Sequence, residues 1–228
     1  MSHLELDDVS VRLGDTEVLR DVTCSLDERT VAVIGENGSG KSTLARLVGG
    51  LTHAASGTVR VLGLDPARDA AQLRRRVAVV FSNPDTQIVM PTVAEDVGFS
   101  LRSEKLSRDE KARRVDEAMH RFGLTDVAGR ASHDLSGGQK QLLALCGAFV
   151  RRPDLVIADE PTAYLDARNA RRVADHLFEE GQHRLLLVTH DLTLAQRCEK
   201  AVLVQGGTIV AAGAPAAIVA EYEAGLRC

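Results

Sequence analysis

The chain has 228 residues, of which 44% are hydrophobic, 26% charged and 3% aromatic, with no tryptophan. This is the balance of a folded globular protein and excludes a disordered tail, and the length suits one compact unit near the size at which subdomains separate. A formal net charge of −4 lacks the basic footprint of a protein built to grip nucleic acid, so no nucleic-acid partner is expected.

The first thirty residues hold two strand-like stretches, Leu4 to Leu13 and Val18 to Leu26, that predict a small antiparallel sheet. Val31 to Ile34 is a short apolar strand, followed by the glycine-rich string GENGSGKS (Gly35 to Ser42) and a helix that places Leu44, Leu47, Val48 and Leu51 on one face. Runs at Val77 to Phe81, Leu155 to Ala158, Leu185 to Val188 and Ala201 to Val204 are continuously apolar, as strands buried on both faces of a mostly parallel sheet must be. Just before the first of these, Arg74, Arg75 and Arg76 read as a solvated helix face, with partner contact as the alternative. Between Asn83 and about Arg152 the strand pattern gives way to helical signals. Ser107 and Glu110 have capping-box spacing, and Ala112, Val115, Met119 and Phe122 mark one apolar face. The tail from Ala214 to Cys228 predicts a closing helix. Cys24, Cys146, Cys198 and Cys228 share no metal-type spacing and read as reduced thiols. No apolar run reaches the roughly 18 residues needed to cross a bilayer, and Met1 to Asp8 lacks a signal-peptide layout, so the chain is expected to stay in the cytoplasm.

A triphosphate concentrates several negative charges in a small volume, so its site needs many donors that do not crowd it. At Gly35, Gly38 and Gly40 the missing Cβ lets backbone N–H groups turn inward, and the helix that follows presents its positive end. Lys41 is expected to bridge the β- and γ-phosphates and Ser42 to ligate Mg²⁺, with Asn37, Ser39 and Thr43 completing the nucleotide-binding loop. Asp159 ends a buried apolar strand, where a carboxylate is costly unless compensated, and hydrated Mg²⁺ is the obvious compensator. One residue further, Glu160 can face the γ-phosphate and orient or deprotonate an attacking water. His190 sits at another strand end; a histidine there is by itself more often structural than phosphate-contacting.

Taken in order, GENGSGKS, LSGGQKQ from Leu135, LVIADE at Leu155 to Glu160, AYLD at Ala163 to Asp166 and VTHD at Val188 to Asp191 resemble the ATPase cassette of ABC transporters over essentially the whole chain. The resemblance implies an α/β fold of the P-loop NTPase (RecA-like) type, with a mostly parallel sheet core, an N-terminal antiparallel β subdomain and an inserted helical subdomain. Residues 1–82 and 153–228 would form the core with its β subdomain, and 83–152 the helical subdomain. It also implies ATP and Mg²⁺ as cofactors. In the family the LSGGQ string contacts the γ-phosphate held by the other subunit, so Ser136, Gly137, Gly138 and Gln139 imply a head-to-tail dimer with a second ATPase subunit, itself or a paralogue, enclosing two ATP molecules. The helix opened by Ser136 aims free N–H groups at an anion, which suits that task. By the same resemblance Asp166 lies at the dimer seam, and His190 senses the γ-phosphate and positions water.

Two positions depart from the family pattern. Leu13 stands where an aromatic usually stacks on adenine; stacking is worth about 0.5–1.5 kcal/mol beyond area burial, so ATP should bind with weaker discrimination against GTP. Ser82 stands where the family has a glutamine reaching Mg²⁺ and the lytic water. A water filling the gap, help from nearby Gln87, slow turnover until a partner completes the site, or neutral drift are the alternatives. The NPDTQ string at Asn83 to Gln87 and the following PTVAEDV look like the ATPases of energy-coupling-factor importers, which move vitamins such as biotin, or cobalt and nickel ions. Such a cassette works at the cytoplasmic face of the cell membrane, bound peripherally to an integral-membrane coupling protein and a substrate-binding membrane protein. Ile88, Val89, Met90 and Val93 offer apolar surface for a partner helix or, equally, helical-subdomain core. A cassette of another ABC transporter class, or a non-transport ABC ATPase such as a cluster-assembly scaffold, are the rival readings.

Overall fold

The computed structural model describes residues 2–179 and 183–226. Strands β1 (Leu4–Leu13), β2 (Thr16–Leu26) and β4 (Ser56–Val61) form an antiparallel sheet in the order β2-β1-β4. The second sheet has the order β5-β6-β7-β3-β8-β9, from β3 (Thr30–Ile34), β5 (Val77–Val80), β6 (Leu155–Asp159), β7 (Arg184–Val188), β8 (Lys200–Gln205) and β9 (Thr208–Gly213). Its pairings are parallel except for the β8–β9 hairpin.

Side chains alternate across a strand, so an uninterrupted apolar run must bury both faces. The sheet does this with two separate cores. Val31, Val33, Leu155, Ile157, Leu186, Val188, Val202 and Val204 face one core, which also holds α1 (Lys41–Val48) and the inner side of the antiparallel sheet. Their neighbours Ala32, Ile34, Val156, Ala158, Leu185, Leu187, Ala201 and Leu203 face the other. That second core is covered by the helices between β5 and β6, namely α3 (Val93–Phe99), α4 (Arg108–Phe122) and α5 (Gly137–Phe149), and by α6 (Ala167–Phe178) and the closing helix α8 (Pro215–Gly225). The short helices α2 (Ala70–Arg76) and α7 (Leu192–Ala195) complete the connections. The expected fold class is the one observed.

Several local expectations need correction. Strands β4 and β9 were not anticipated. Leu51 lies beyond the end of α1 and is 53% exposed, because Gly49 and Gly50, the latter at φ +68°, end the helix first. On α4, Val115, Met119 and Phe122 are buried but Ala112 is exposed. Ser107 does accept the Glu110 N–H, yet Glu110 turns its carboxylate to Arg113 and Arg114 instead of back to the cap, so only half of the capping box forms. Cys24, Cys146 and Cys198 are free thiols held protonated by burial, which pushes them to about 11, 12 and 12; Cys228 lies outside the described residues.

Candidate functional site

Ligands of open parallel sheets gather at the carboxyl ends of the strands, and here β3 delivers the glycine loop to that edge while β5, β6 and β7 deliver Ser82, Asp159 with Glu160, and His190. The chain leaves β3 at Gly35, whose φ of +145° and contact with the Val204 carbonyl of β8 exclude any side chain. Gly40, at φ +107°, caps α1; a Cβ there would lie 2.7 Å from Leu19 Cδ2 and 3.1 Å from the Val18 carbonyl. The loop is thus drawn tight between the two sheets. Lys41 lies back across it, donating from Nζ to the carbonyls of Gly35 and Glu36 at 2.7 Å each. Burial lowers its pKa, against the opposing pull of Glu160, Asp159 and Glu36. The Ser39 hydroxyl is buried without a partner.

The acidic side of the site comes from β6. Asp159 is 7% exposed and accepts from the Ser42 hydroxyl at 3.0 Å. Burial raises its pKa, only partly countered by that bond and by Arg46 and Lys41. A desolvated carboxylate beside a hydroxyl, both oxygen donors, fits a hard divalent cation such as Mg²⁺. Glu160 takes the left-handed conformation (φ +51°), fixed by its N–H donating to the Val188 carbonyl at 2.9 Å. This backbone turn swings its carboxylate to His190, whose Nδ1 lies 2.7 Å from Glu160 Oε2. Both residues line a cleft of about 930 Å³ together with Gly35, Asn37, Ser82 and Tyr164.

Ser136 to Gln139 open α5 and contribute nothing to the lining of this cleft. Ser136 caps the helix and Gln139 reaches back to the Ser136 N–H, a complete capping box. Gly137 is exposed while Gly138 is buried. Asp166 caps α6, accepting the Asn169 N–H at 2.9 Å and its Nδ2 at 2.7 Å, bonds that hold the carboxyl below its ordinary range. Residues 136–139 and the Glu160–His190 cleft are therefore separate places on the molecule.

The protein-family model described as ABC transporter matches residues 19–163. The chain belongs to that family. A provisionally named ABC transporter ATP-binding protein of Bartonella quintana is 44% identical over 97% of this chain and 98% of its own length. The energy-coupling factor transporter ATP-binding protein EcfA1 of Bacillus subtilis is 39% identical over 81% of this chain and 67% of its own. Among solved structures, cbiO1 of Clostridium perfringens, described as part of the ABC transporter complex cbiONQ, superposes with a TM-score of 0.86 at 30% identity, covering 98% of this chain and 92% of that one. A dimeric post-hydrolysis state of the ATP-binding cassette MJ0796, bound to ADP and Pi, gives a TM-score of 0.79 at 25% identity over 93% and 98% of the two chains.

This ABC ATPase resolves part of the question raised by Ser82. Gln87 cannot stand in for a missing glutamine as placed, because Phe81 N–H donates to its Oε1 and its Nε2 donates to the Val79 carbonyl, both at 2.8 Å. Gln141, 1% exposed on α5, donates to the Phe81 carbonyl at 3.3 Å. Sequence reasoning missed Gln141; its place directly before the apolar run Leu142–Cys146 was the available signal. Of the four apolar residues offered for partner docking, Val93 is fully buried, Ile88 packs on the core and Met90 is half-buried, whereas Val89 is 60% exposed. Arg74 and Arg75 line a groove of about 420 Å³ with Arg102 and Arg151 and with the small residues Ala71, Ala78 and Ala144. Leu13 is 44% exposed at the β1–β2 turn. No helix among the described residues is long and apolar enough to cross a membrane.

Proposed function

We propose that this ABC ATPase is the ATP-hydrolysing subunit of an energy-coupling-factor importer, working at the cytoplasmic face of a membrane for a vitamin such as biotin or a cobalt or nickel ion. The observation that carries the reading is NPDTQ at Asn83–Gln87, with its Gln87 clamp, beside a likeness to EcfA1 and cbiO1. The groove beside β5, lined by four arginines as well as small residues, is where a membrane partner's helix would lie in this reading.

In this reading the backbone N–H groups of Gly35, Asn37, Gly38, Ser39, Gly40 and Thr43 cradle the ATP phosphates, and Lys41 leaves the loop carbonyls for the β- and γ-phosphates. Ser42 and Asp159 would hold Mg²⁺, which would supply charge neutralisation to the phosphates. Glu160 orients and deprotonates the attacking water, and His190, already bonded to Glu160 through Nδ1, turns Nε2 toward the γ-phosphate. Ser136, Gly137 and Gly138 face the phosphate of a second cassette, beside Gln139 and Asp166. Pairing closes the site, and hydrolysis reopens it against the membrane partners.

The test is affinity purification of the chain from detergent-solubilised membranes, with partners identified by mass spectrometry. Recovery with a multi-span coupling protein and a small substrate-binding membrane protein is the expected result. Recovery with soluble proteins alone overturns the importer reading. In the purified complex Glu160→Gln should bind ATP and accumulate a closed pair with at least about a hundredfold lower turnover; native turnover would refute Glu160 as the base.

A further inference from the structure

The start of α5 lies outside this chain's own nucleotide cleft, whereas the turn Tyr164–Asp166 before α6 runs from the rim of that cleft, which Tyr164 and Leu165 line, to the cap of α6. They come from segments far apart in sequence, yet one side chain lies between them. Asn169 donates its N–H to Asp166 Oδ1 at 2.9 Å, an ordinary helix cap, and then donates Nδ2 to the second carboxylate oxygen, Oδ2, at 2.7 Å. Only the NH₂ end of the amide can face an ionised carboxylate, so this bond fixes which way the amide points. The same planar group lies against Gly138: a Cβ added there would sit 2.6 Å from Asn169 Nδ2 and 2.8 Å from Oδ1, closer than any real side chain can approach.

Gly138 is not among the glycines at positive φ, so its backbone conformation is open to any residue. What crowds a Cβ at this position is the amide of Asn169, which its bond to Asp166 holds in place. Gly138 is buried in the first turn of a helix held by the complete Ser136–Gln139 capping box. The Asn169 side chain, pinned at its amide by Asp166, is therefore the group that connects the Asp166 cap to the first turn of α5. Tyr164 marks the same turn, 97% exposed at φ +63°, a conformation that an aromatic residue holds only when its surroundings impose it.

We infer that Asn169 is a positioning residue which makes the Asp166 turn and the Ser136–Gly138 helix start a single body, so that both are presented together to a second cassette. The inference rests on the two-cassette reading above for its consequence, and on the bonds of this chain alone for its geometry. Asn169 touches neither the P-loop nor the Glu160–His190 pair, so its loss should leave nucleotide capture intact and impair the step that needs both surfaces.

The test uses the full chain with Asn169→Ala and Asn169→Asp. Hydrogen exchange of the nucleotide-free protein is followed in segments 136–141 and 163–168, and ATP turnover over ranges of ATP and protein concentration. In Asn169→Ala both segments should exchange faster together, by about fivefold or more, and kcat should fall roughly tenfold while KM for ATP stays within about twofold. Asn169→Asp fills the same space but has no donor and repels Asp166, so it should lose at least as much. Unchanged exchange at 136–141, an aspartate variant that behaves as native, or parallel losses of kcat, ATP affinity and thermal stability would each overturn the assignment. The two-cassette reading is judged separately, by whether specific activity rises with the concentration of the chain itself or of a second cassette recovered with it from membranes; should both stay flat, that reading fails and the exchange measurement still decides the role of Asn169.

Discussion

Asp159 is placed where the folded chain would be better off with a neutral group. Its pKa is raised because burial penalises the charge, and neither the Ser42 hydroxyl nor the nearby Arg46 and Lys41 make up the difference. With a folded pKa above the unfolded one, the group costs stability at neutral pH, and the cost disappears as pH falls below the carboxylate range. Asp159→Asn keeps an acceptor for Ser42 and removes the charge. The nucleotide-free variant should melt higher, while Mg²⁺-dependent ATP turnover collapses. An unchanged or lower Tm in the absence of nucleotide would count against this account. Leu13 carries a second prediction: Leu13→Tyr should sharpen the choice of ATP over GTP by roughly three- to tenfold in kcat/KM, matching the stacking energy, whereas equal discrimination in both forms would show that adenine does not rest there. Most of these residues could be found in the sequence, because phosphate chemistry restricts which side chains can stand beside a glycine loop or at a strand end. Asn169 could not be, since its importance lies in a contact between two helices that no spacing encodes.

At the scale of elements, legibility followed burial. Strands β3, β6, β7 and β8 are apolar throughout because both faces are covered, and their sequence runs say so. Strand β4, SGTVRV, buries only Val59 and Val61, and β9, TIVAAG, only part of one face, so neither run carries a clear period. Both are held by their neighbours: β4 by antiparallel pairing with β1, β9 by its hairpin with β8. The segment after β5 shows the opposite case, where local motifs were legible but their use was not. The Gln87 clamp and the Gln141 bond fasten the backbone of Val79 and Phe81 to the helical half, leaving Ser82 as the short side chain at the cleft. Ser82→Gln should therefore raise kcat, by about threefold or more, with little change in KM if a missing amide limits turnover. An unaltered kcat would mean that the site works without one. Gln87→Ala leaves a backbone donor and an acceptor unpaired and should cost about 1–3 kcal/mol of stability, read as a lower denaturant midpoint.

Across the whole molecule, the antiparallel sheet is tied to the parallel one at its lower edge by His3. Its backbone bonds Leu26 and Leu62, and its ring Nδ1 accepts from Arg184 Nη1 at 3.1 Å at the start of β7. Burial, then the Arg184 guanidinium, lower the His3 pKa to about 4, against the weaker pull of Asp27 and Glu28. An imidazole that accepts a hydrogen bond at Nδ1 cannot be protonated there without losing it, so the geometry and the direction of the shift agree. His176 and His183, packed beside Phe122 and Phe149, are also lowered, by burial first. All three stay neutral when folded and take up protons near pH 6.5 when unfolded. The unfolded chain then binds more protons, so stability should be full above pH 6.5 and fall as the pH drops toward 4. For His3 alone the loss reaches about 2 kcal/mol by pH 5, in a window above the titration of ordinary carboxylates. Urea unfolding at pH 7.5 and pH 5 gives the comparison: His3→Gln should lose about 2 kcal/mol less between the two pH values than the native chain, whatever its starting stability. Equal losses would place the acid sensitivity elsewhere and leave His3 a neutral strut between the sheets.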